Sequence, residues 1–168
     1  VYELEGKSGL FPIFAMYYVD AQNGKIITYN SKVCTHSVPA TASGYHYKNV
    51  EITVDSLAKN EYVLRDLDRN IEIREVVGGT TFQQEMQTIS NSDNNWIYED
   101  GDIDGAAADA IYCTAHYHNM LQERFGRNNL DDQGGMLVCN VNVPSFTGGL
   151  SFVNAFWNGS TSNYGAGD

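Results

Sequence analysis

Asn154-Ala155-Phe156-Trp157-Asn158-Gly159-Ser160 ends an apolar run that begins near Leu150. As a strand over 150–157 its side chains alternate between faces, so Phe156 and Trp157 point in opposite directions. Either both are core aromatics of an amphipathic strand, or one face of the strand is left for recognition along an irregular sheet edge. Working outward, 136–143 is a second strand, and 106–125 carries the strongest helical signal. Ala110, Cys113, Tyr117, Met120, Leu121 and Phe125 recur at helical spacing and form one apolar stripe, with Asp109, His116, Asn119 and Glu123 on another face. Asp102 or Asp104 is placed to cap the helix start, and Gly126 to end it.

Upstream, Val50, Ile52 and Val54 alternate with polar neighbours, as do Ile71 and Ile73; Tyr62-Val63-Leu64 lies between them. Period-two alternation describes an antiparallel sheet with one buried face. Residues 80–104 read as polar loop. Residues 30–46 show no period and are rich in Ser, Thr, Ala and Gly, which makes them the best linker candidate, the kind of exposed segment where proteolytic nicking concentrates. Residues 11–29 read as a β-hairpin turning at Asp20-Ala21-Gln22-Asn23-Gly24, the glycine at positive φ. The expected class is α+β: mostly antiparallel sheet with one long helix, preceded by a hairpin.

The 21 acidic against 10 basic residues give a formal charge of −11, which disfavours nucleic acid and anionic membrane surfaces as partners. No apolar run is long enough to span a bilayer. Val1 opens the chain without an initiator Met or a charged-then-apolar leader, so the compartment is not readable from a signal peptide. The Gly-, Tyr-, Asn- and Ser-rich vocabulary with few Lys looks extracellular. Three cysteines, Cys34, Cys113 and Cys139, cannot all pair; Cys113 with Cys139 is one possible bridge, which geometry must decide. Cys113, on the apolar stripe, is expected to be buried and inert. His116 and His118 face apart on a helix and cannot share a metal.

The 154–160 string, followed by Tyr164-Gly165-Ala166-Gly167-Asp168, closely resembles the substrate-strand segment of thermolysin-like zinc metalloproteases. Weaker likenesses lie upstream in the same order. Tyr62-Val63-Leu64-Arg65-Asp66 with Arg69 resembles the family's Y-x-L-x-D-x-x-R stretch, and Asp93-Asn94-Asn95-Trp96 a similar element before the long helix. Ala108-Asp109-Ala110-x-Tyr112 with Gly126-Arg127 resembles the D-A-H-Y helix and its exit. Tyr17 to Lys25 resembles the closing hairpin of the family's propeptide. Ile111 stands where the family has His, Asn142 stands near a position often His, and 144–151 looks like an insertion.

The resemblance implies a division into 1–36, the end of a propeptide, and 37–168, the β-rich first lobe of the peptidase domain. The linker is either a processing region, His36-Ser37 or a nearby bond its candidate site, or a plain flexible connection. It implies that Asn154 and Ala155 fix the register of an extended peptide substrate and that Trp157 supplies an apolar wall. Zinc is the parent's cofactor, yet H-E-x-x-H is nowhere in the sequence: none of the four histidines precedes a glutamate. That motif places two histidines on one helical face around a Zn²⁺. The expectation is a secreted chain that stops before the zinc helix and is inactive alone. Its alternatives are a non-catalytic peptide- or inhibitor-binding module and a generic β-rich adhesion domain. The metal-free lobe is also expected to self-associate through its uncovered apolar surface.

Asp100, Asp102 and Asp104, with Gly105, match the first half of an EF-hand loop, but position twelve is Ile111 rather than a bidentate Glu. Calcium there competes with a plainer reading, an acidic helix start favoured by the helix dipole.

Overall fold

The structure, a computed structural model, describes residues 2–3, 15–20, 22–31, 35–80, 83–100, 105–144 and 153–165. The chain divides into two compact units, 1–35 and 36–168. In the first, β1 (Tyr2–Glu3), β2 (Ala15–Val19) and β3 (Ile26–Ser31) form an antiparallel sheet in the order β1-β2-β3. The expected turn is present. Asp20 Oδ1 accepts from the Gln22 N–H at 2.8 Å, the Gly24 N–H donates to Asp20 O at 2.9 Å, and Gly24 takes φ +71°. Residues 11–14 of the expected hairpin lie outside the described residues, and β1 was not foreseen.

The second unit begins with β4 (His36–Ser43), β5 (Val50–Ala58), β6 (Glu61–Val63), β7 (Arg65–Asp66) and β8 (Ile71–Thr80). It continues with β9 (Gln83–Thr88), β10 (Ser90–Asn91), β11 (Asn95–Ile97), a single 3₁₀ turn (Tyr98–Asp100) and α1 (Gly105–Phe125). It ends with β12 (Leu137–Val143), β13 (Ala155–Trp157) and β14 (Thr161–Gly165). One sheet runs β10-β6-β5-β4-β11; the other runs β13-β14-β12-β8-β7, with β9 also on β8. The α+β reading holds. Its mostly antiparallel sheets contain three parallel pairs: β4 with β11, β8 with β12, and β12 with β14. Helix α1 packs on β8 and β12 and also reaches β4 and β5, so it covers both sheets.

Two loops of the sequence reading are strands. Residues 36–43 are β4, paired with β5 from His36↔Ser56 to Ala42↔Val50. Its Ser, Thr and Ala composition hid a strand whose buried members, Ala40 and Ala42, are small. Pro39 is tolerated because β11 pairs only with Thr41 to Ser43, leaving the Pro39 position without a neighbour on that edge. The His36-Ser37 bond therefore lies in a paired strand and not in a linker. Residues 83–97 supply β9, β10 and β11, where Gln83-Gln84-Glu85 gave no alternation to read.

The helix is where it was expected, but turned. Ala107, Ala108, Ile111, Thr114 and Leu121 are buried, while Cys113, Tyr117, Met120 and Phe125 are exposed, Phe125 at 65%. Of the expected stripe only Ala110 and Leu121 are buried. Small residues let the helix axis approach the sheets closely, and Ile111 packs there with Ile71, Ile73 and Val141. Gly126, at φ +64°, ends the helix as foreseen: its N–H donates to Gln122 O at 3.0 Å and the Arg127 N–H to Leu121 O at 3.1 Å.

Candidate functional site

Strand β13 is the last strand of its sheet. Among the described residues it pairs antiparallel with β14, with Ala155↔Tyr164, Phe156↔Asn163 and Trp157↔Ser162 in register. Asn154 and Ala155 are exposed, Phe156 is half-buried, and Trp157 is 51% exposed. The alternation thus separates the two aromatics as expected. Asn154 Oδ1 accepts from the Ala155 N–H at 2.8 Å, and Asn154 O accepts from the Gly165 N–H at 2.8 Å, which fixes the start of the edge. Asn158 holds the turn: its Oδ1 accepts from the Ser160 N–H at 2.9 Å and the Thr161 N–H at 2.8 Å.

A buried amide pair ties this edge to the middle of the sheet. Asn140 Nδ2 on β12 donates to Asn163 Oδ1 at 2.9 Å and to Thr161 Oγ1 at 3.1 Å, and Asn163 Nδ2 donates to Thr161 O at 2.9 Å. Both asparagines are buried, so these bonds fix β14, and through it β13, against β12. Two residues on, Asn142 takes φ +58° where the β12–β14 register shifts. Asparagine tolerates that left-handed conformation at a bulge.

Behind the edge, α1 and β12 enclose a cavity of about 280 Å³ lined by Cys113, Tyr117, Leu137, Cys139, Trp157 and Tyr164, among others. Cys113 and Tyr164 also line a second cavity of about 540 Å³, with Tyr45, Tyr47, Asp109 and Ala110. Both cavities are largely apolar in their lining, and both thiols are free. Burial raises the Cys139 pKa, against hydrogen bonds from Thr114 and Ser162, and desolvation raises that of Cys113. Burial also raises Tyr164, with the neighbouring Cys139 adding to it. Of these groups the sequence singled out Trp157 as a site residue and weighed Cys113 with Cys139 as a bridge; Tyr45, Tyr47, Tyr117 and Tyr164 were missed because they come from separate elements.

The other motif residues build the frame. Asp109, expected on the polar face of the helix, is buried; its carboxylate accepts from the His46 N–H at 3.0 Å and the Tyr47 N–H at 3.1 Å. A Cβ at Gly44 would lie 2.2 Å from Asp109 Oδ1, so this close approach requires glycine. Asp66 is fully buried; Oδ1 accepts from the N–H groups of Asp68 and Arg69, and Oδ2 accepts from Arg69 Nη1 at 2.7 Å. Arg69 Nε then donates to Asn119 Oδ1 at 2.9 Å, joining this turn to α1. Trp96 is a fully buried core residue. His116 stacks on Tyr112 with ring centroids 4.2 Å apart, whereas His118 bonds Asn129, so the two histidines go separate ways.

The profile of the thermolysin metallopeptidase catalytic domain matches residues 39–168, from within β4 to the last residue and through the whole β13 edge. The chain belongs to the thermolysin metallopeptidase family. Bacillolysin of Bacillus amyloliquefaciens is 28% identical over 160 residues, covering 89% of this chain and 28% of the relative. Bacillolysin of Brevibacillus brevis is 29% identical over 155 residues, covering 91% and 26%. The extracellular elastase of Staphylococcus epidermidis is 25% identical over 155 residues, covering 89% and 29%. The chain spans less than a third of the length of these curated relatives.

Thermolysin metallopeptidases are zinc-dependent. Among the described residues no three His, Cys, Asp or Glu side chains gather as a metal-binding group, so these residues do not fit that ion. Asp100 closes the 3₁₀ turn, its side chain outside the description, and Asp102 and Asp104 lie outside the described residues. Among the described residues no helix is long and apolar enough to cross a membrane.

Proposed function

We propose that this chain supplies the β-rich first lobe and the substrate-binding edge of a secreted thermolysin-type zinc endopeptidase, and that it cuts no peptide by itself. The observation that carries this reading is the exposure of Asn154, Ala155 and Trp157 on β13, the end strand of its sheet among the described residues, beside an apolar cavity in the segment that the family match includes. An extended peptide adds to such an edge as a further strand, with main-chain hydrogen bonds giving affinity and side-chain contacts giving register. In this reading Asn154 and Ala155 set the register and Trp157 forms the wall. Zinc and its ligands belong to a part of the parent protein outside these 168 residues, since no H-E-x-x-H is present.

Residues 1–36 are proposed as the end of a propeptide, with processing at or before residue 35 rather than inside β4. A calcium ion at Asp100, Asp102 and Asp104 belongs to the same proposal; a rise in melting temperature with calcium over EDTA, abolished in D102N/D104N, tests it separately.

The experiment is peptide titration followed by backbone amide shifts. Extended apolar peptides should move amides of 153–157 and of Ser162 to Tyr164, and Ala155→Pro, which removes a main-chain donor, should weaken binding about tenfold. Trp157→Ala should weaken it less. Amide shifts confined to other strands would reject the edge assignment. Hydrolysis of casein by the pure chain with zinc, persisting after removal of contaminating protease, would reject the division of labour.

A further inference from the structure

We propose that Cys113 and Cys139 form a reversible dithiol–disulfide pair across the cavity between α1 and β12, with a small-molecule disulfide as oxidant. Both thiols are free and line the same cavity, one from the helix and one from the strand. The helical turn carrying Cys113 is held against β12 at the right height. Thr114 Oγ1, on the next residue, lies 3.2 Å from Cys139 Sγ in a buried contact. Tyr164 lines the same cavity as both sulfurs.

Their accessibility differs in a way that orders the chemistry. Cys113 is exposed and Cys139 is buried. A disulfide RSSR therefore meets Cys113 first. The Cys113 thiol loses its proton, its sulfur bonds to one sulfur of the oxidant, and one RSH leaves. The second cavity, which Cys113 also lines, offers room for the adduct. Cys139 then loses its proton and attacks Cys113 Sγ, releasing a second RSH. Two protein thiols are oxidised by two electrons, and one RSSR is reduced to two RSH. Closure requires the two Cα atoms within about 7 Å. The bridge would bind α1 to β12 and occupy the cavity behind Trp157. Redox state thereby sets the space beside the β13 edge. This inference stands without any assignment of β13 to substrate.

The test uses the 168-residue chain with Cys34→Ser, so that only this pair remains. Folded protein, checked by near-ultraviolet circular dichroism, is incubated with oxidised glutathione at pH 8 and digested without reductant. The expected result is loss of both thiols together, and one linked peptide pair containing residues 113 and 139, lighter by two hydrogens. C139S should stop at a glutathione adduct on Cys113, and C113S should resist modification at Cys139. A stable adduct on Cys113 beside an intact Cys139 thiol would overturn the proposal, as would covalent dimers. Should the serine at 34 prevent folding, the unaltered chain serves: a 113–139 link alone under native conditions supports the pair, and links to Cys34 there overturn it. The guanidinium-unfolded chain gives the scrambled reference pattern.

Discussion

Helix α1 has two faces made on opposite principles. The face toward the sheets is built from Ala107, Ala108, Ile111, Thr114 and Leu121, mostly small residues, all buried. The face away from them carries Tyr117, Met120 and Phe125, larger and more apolar, and all exposed. Hydrophobicity alone does not decide which face goes inside: close approach to two sheets favours small side chains, and Ile111 and Leu121 are the large residues that fit there. The large ones are left on a face that adjoins the Trp157 cavity, the kind of patch that marks an interaction surface.

The comparison is broken most severely from the inner side. Ile111→Ala should lower unfolding free energy by about 4 kcal/mol, read by urea denaturation, because the void cannot collapse between helix and sheet. A loss below about 1 kcal/mol would mean that the inner face is not packed as described.

Acid tests whether the sheet under that face fails independently of the helix. Ile71 and Ile73 of β8 face α1, and Glu72 between them faces the other way, bonded to Arg74 at 2.5 Å, Thr88 at 2.7 Å and Arg65 at 3.0 Å. Burial pulls the Glu72 pKa up, but these bonds outweigh it and bring the carboxyl from 4.5 down to about 2. Its contribution is therefore complete above pH 4.5 and is lost as the pH falls toward 2. The loss should be about 3 kcal/mol, absent in Glu72→Gln. Asp55 works in the opposite sense. It is fully buried, its nearest guanidinium nitrogen, Arg65 Nη1, lies 3.6 Å away, and burial raises its pKa against the pull of Arg65 and of the His36 backbone N–H. Its share is present at low pH and declines as the pH rises from 3.8 through the raised value, so Asp55→Asn should remove that part of the pH dependence.

Overpacking gives a smaller effect. Ala108→Leu should cost about 2 kcal/mol by forcing the helix off the sheets. The outer face should respond least: Tyr117, Met120 and Phe125 changed singly to Ser should each alter stability by less than about 0.5 kcal/mol. The self-association expected of the apolar surface near Phe156, Trp157 and Phe152, the last outside the described residues, should persist in the triple variant, since none of the three changes lies in that segment. Sedimentation showing a monomer at high concentration before mutation would sink that last expectation.

Local features proved readable where neighbouring residues decide them. The 106–125 helix, its glycine stop, the Gln22-Asn23-Gly24 turn and the separation of Phe156 from Trp157 all follow from spacing or turn chemistry. The helix face was misread because counting apolar residues ranks Tyr117 and Phe125 above Ala107 and Ala108. Asp109 was placed outside because its partners, the His46 and Tyr47 amides, lie more than sixty residues away in sequence. β4 and β9 were missed because small or polar residues carry no alternation once a sheet edge or a second layer covers them. Cys113 was expected to be buried for the same reason as the rest of its stripe.

By itself the sequence determined a β-rich chain with one long helix, an aromatic strand near its end, and no H-E-x-x-H, because periodicity, turn residues and motif spacing are properties of adjacent positions. Only the tertiary structure decided that β12 runs parallel to both its neighbours, that β13 is the end strand of its sheet among the described residues, and that two distant thiols share a cavity. Those depend on which elements approach one another, and close packing selects that from the volumes of whole faces rather than from any one stretch of residues.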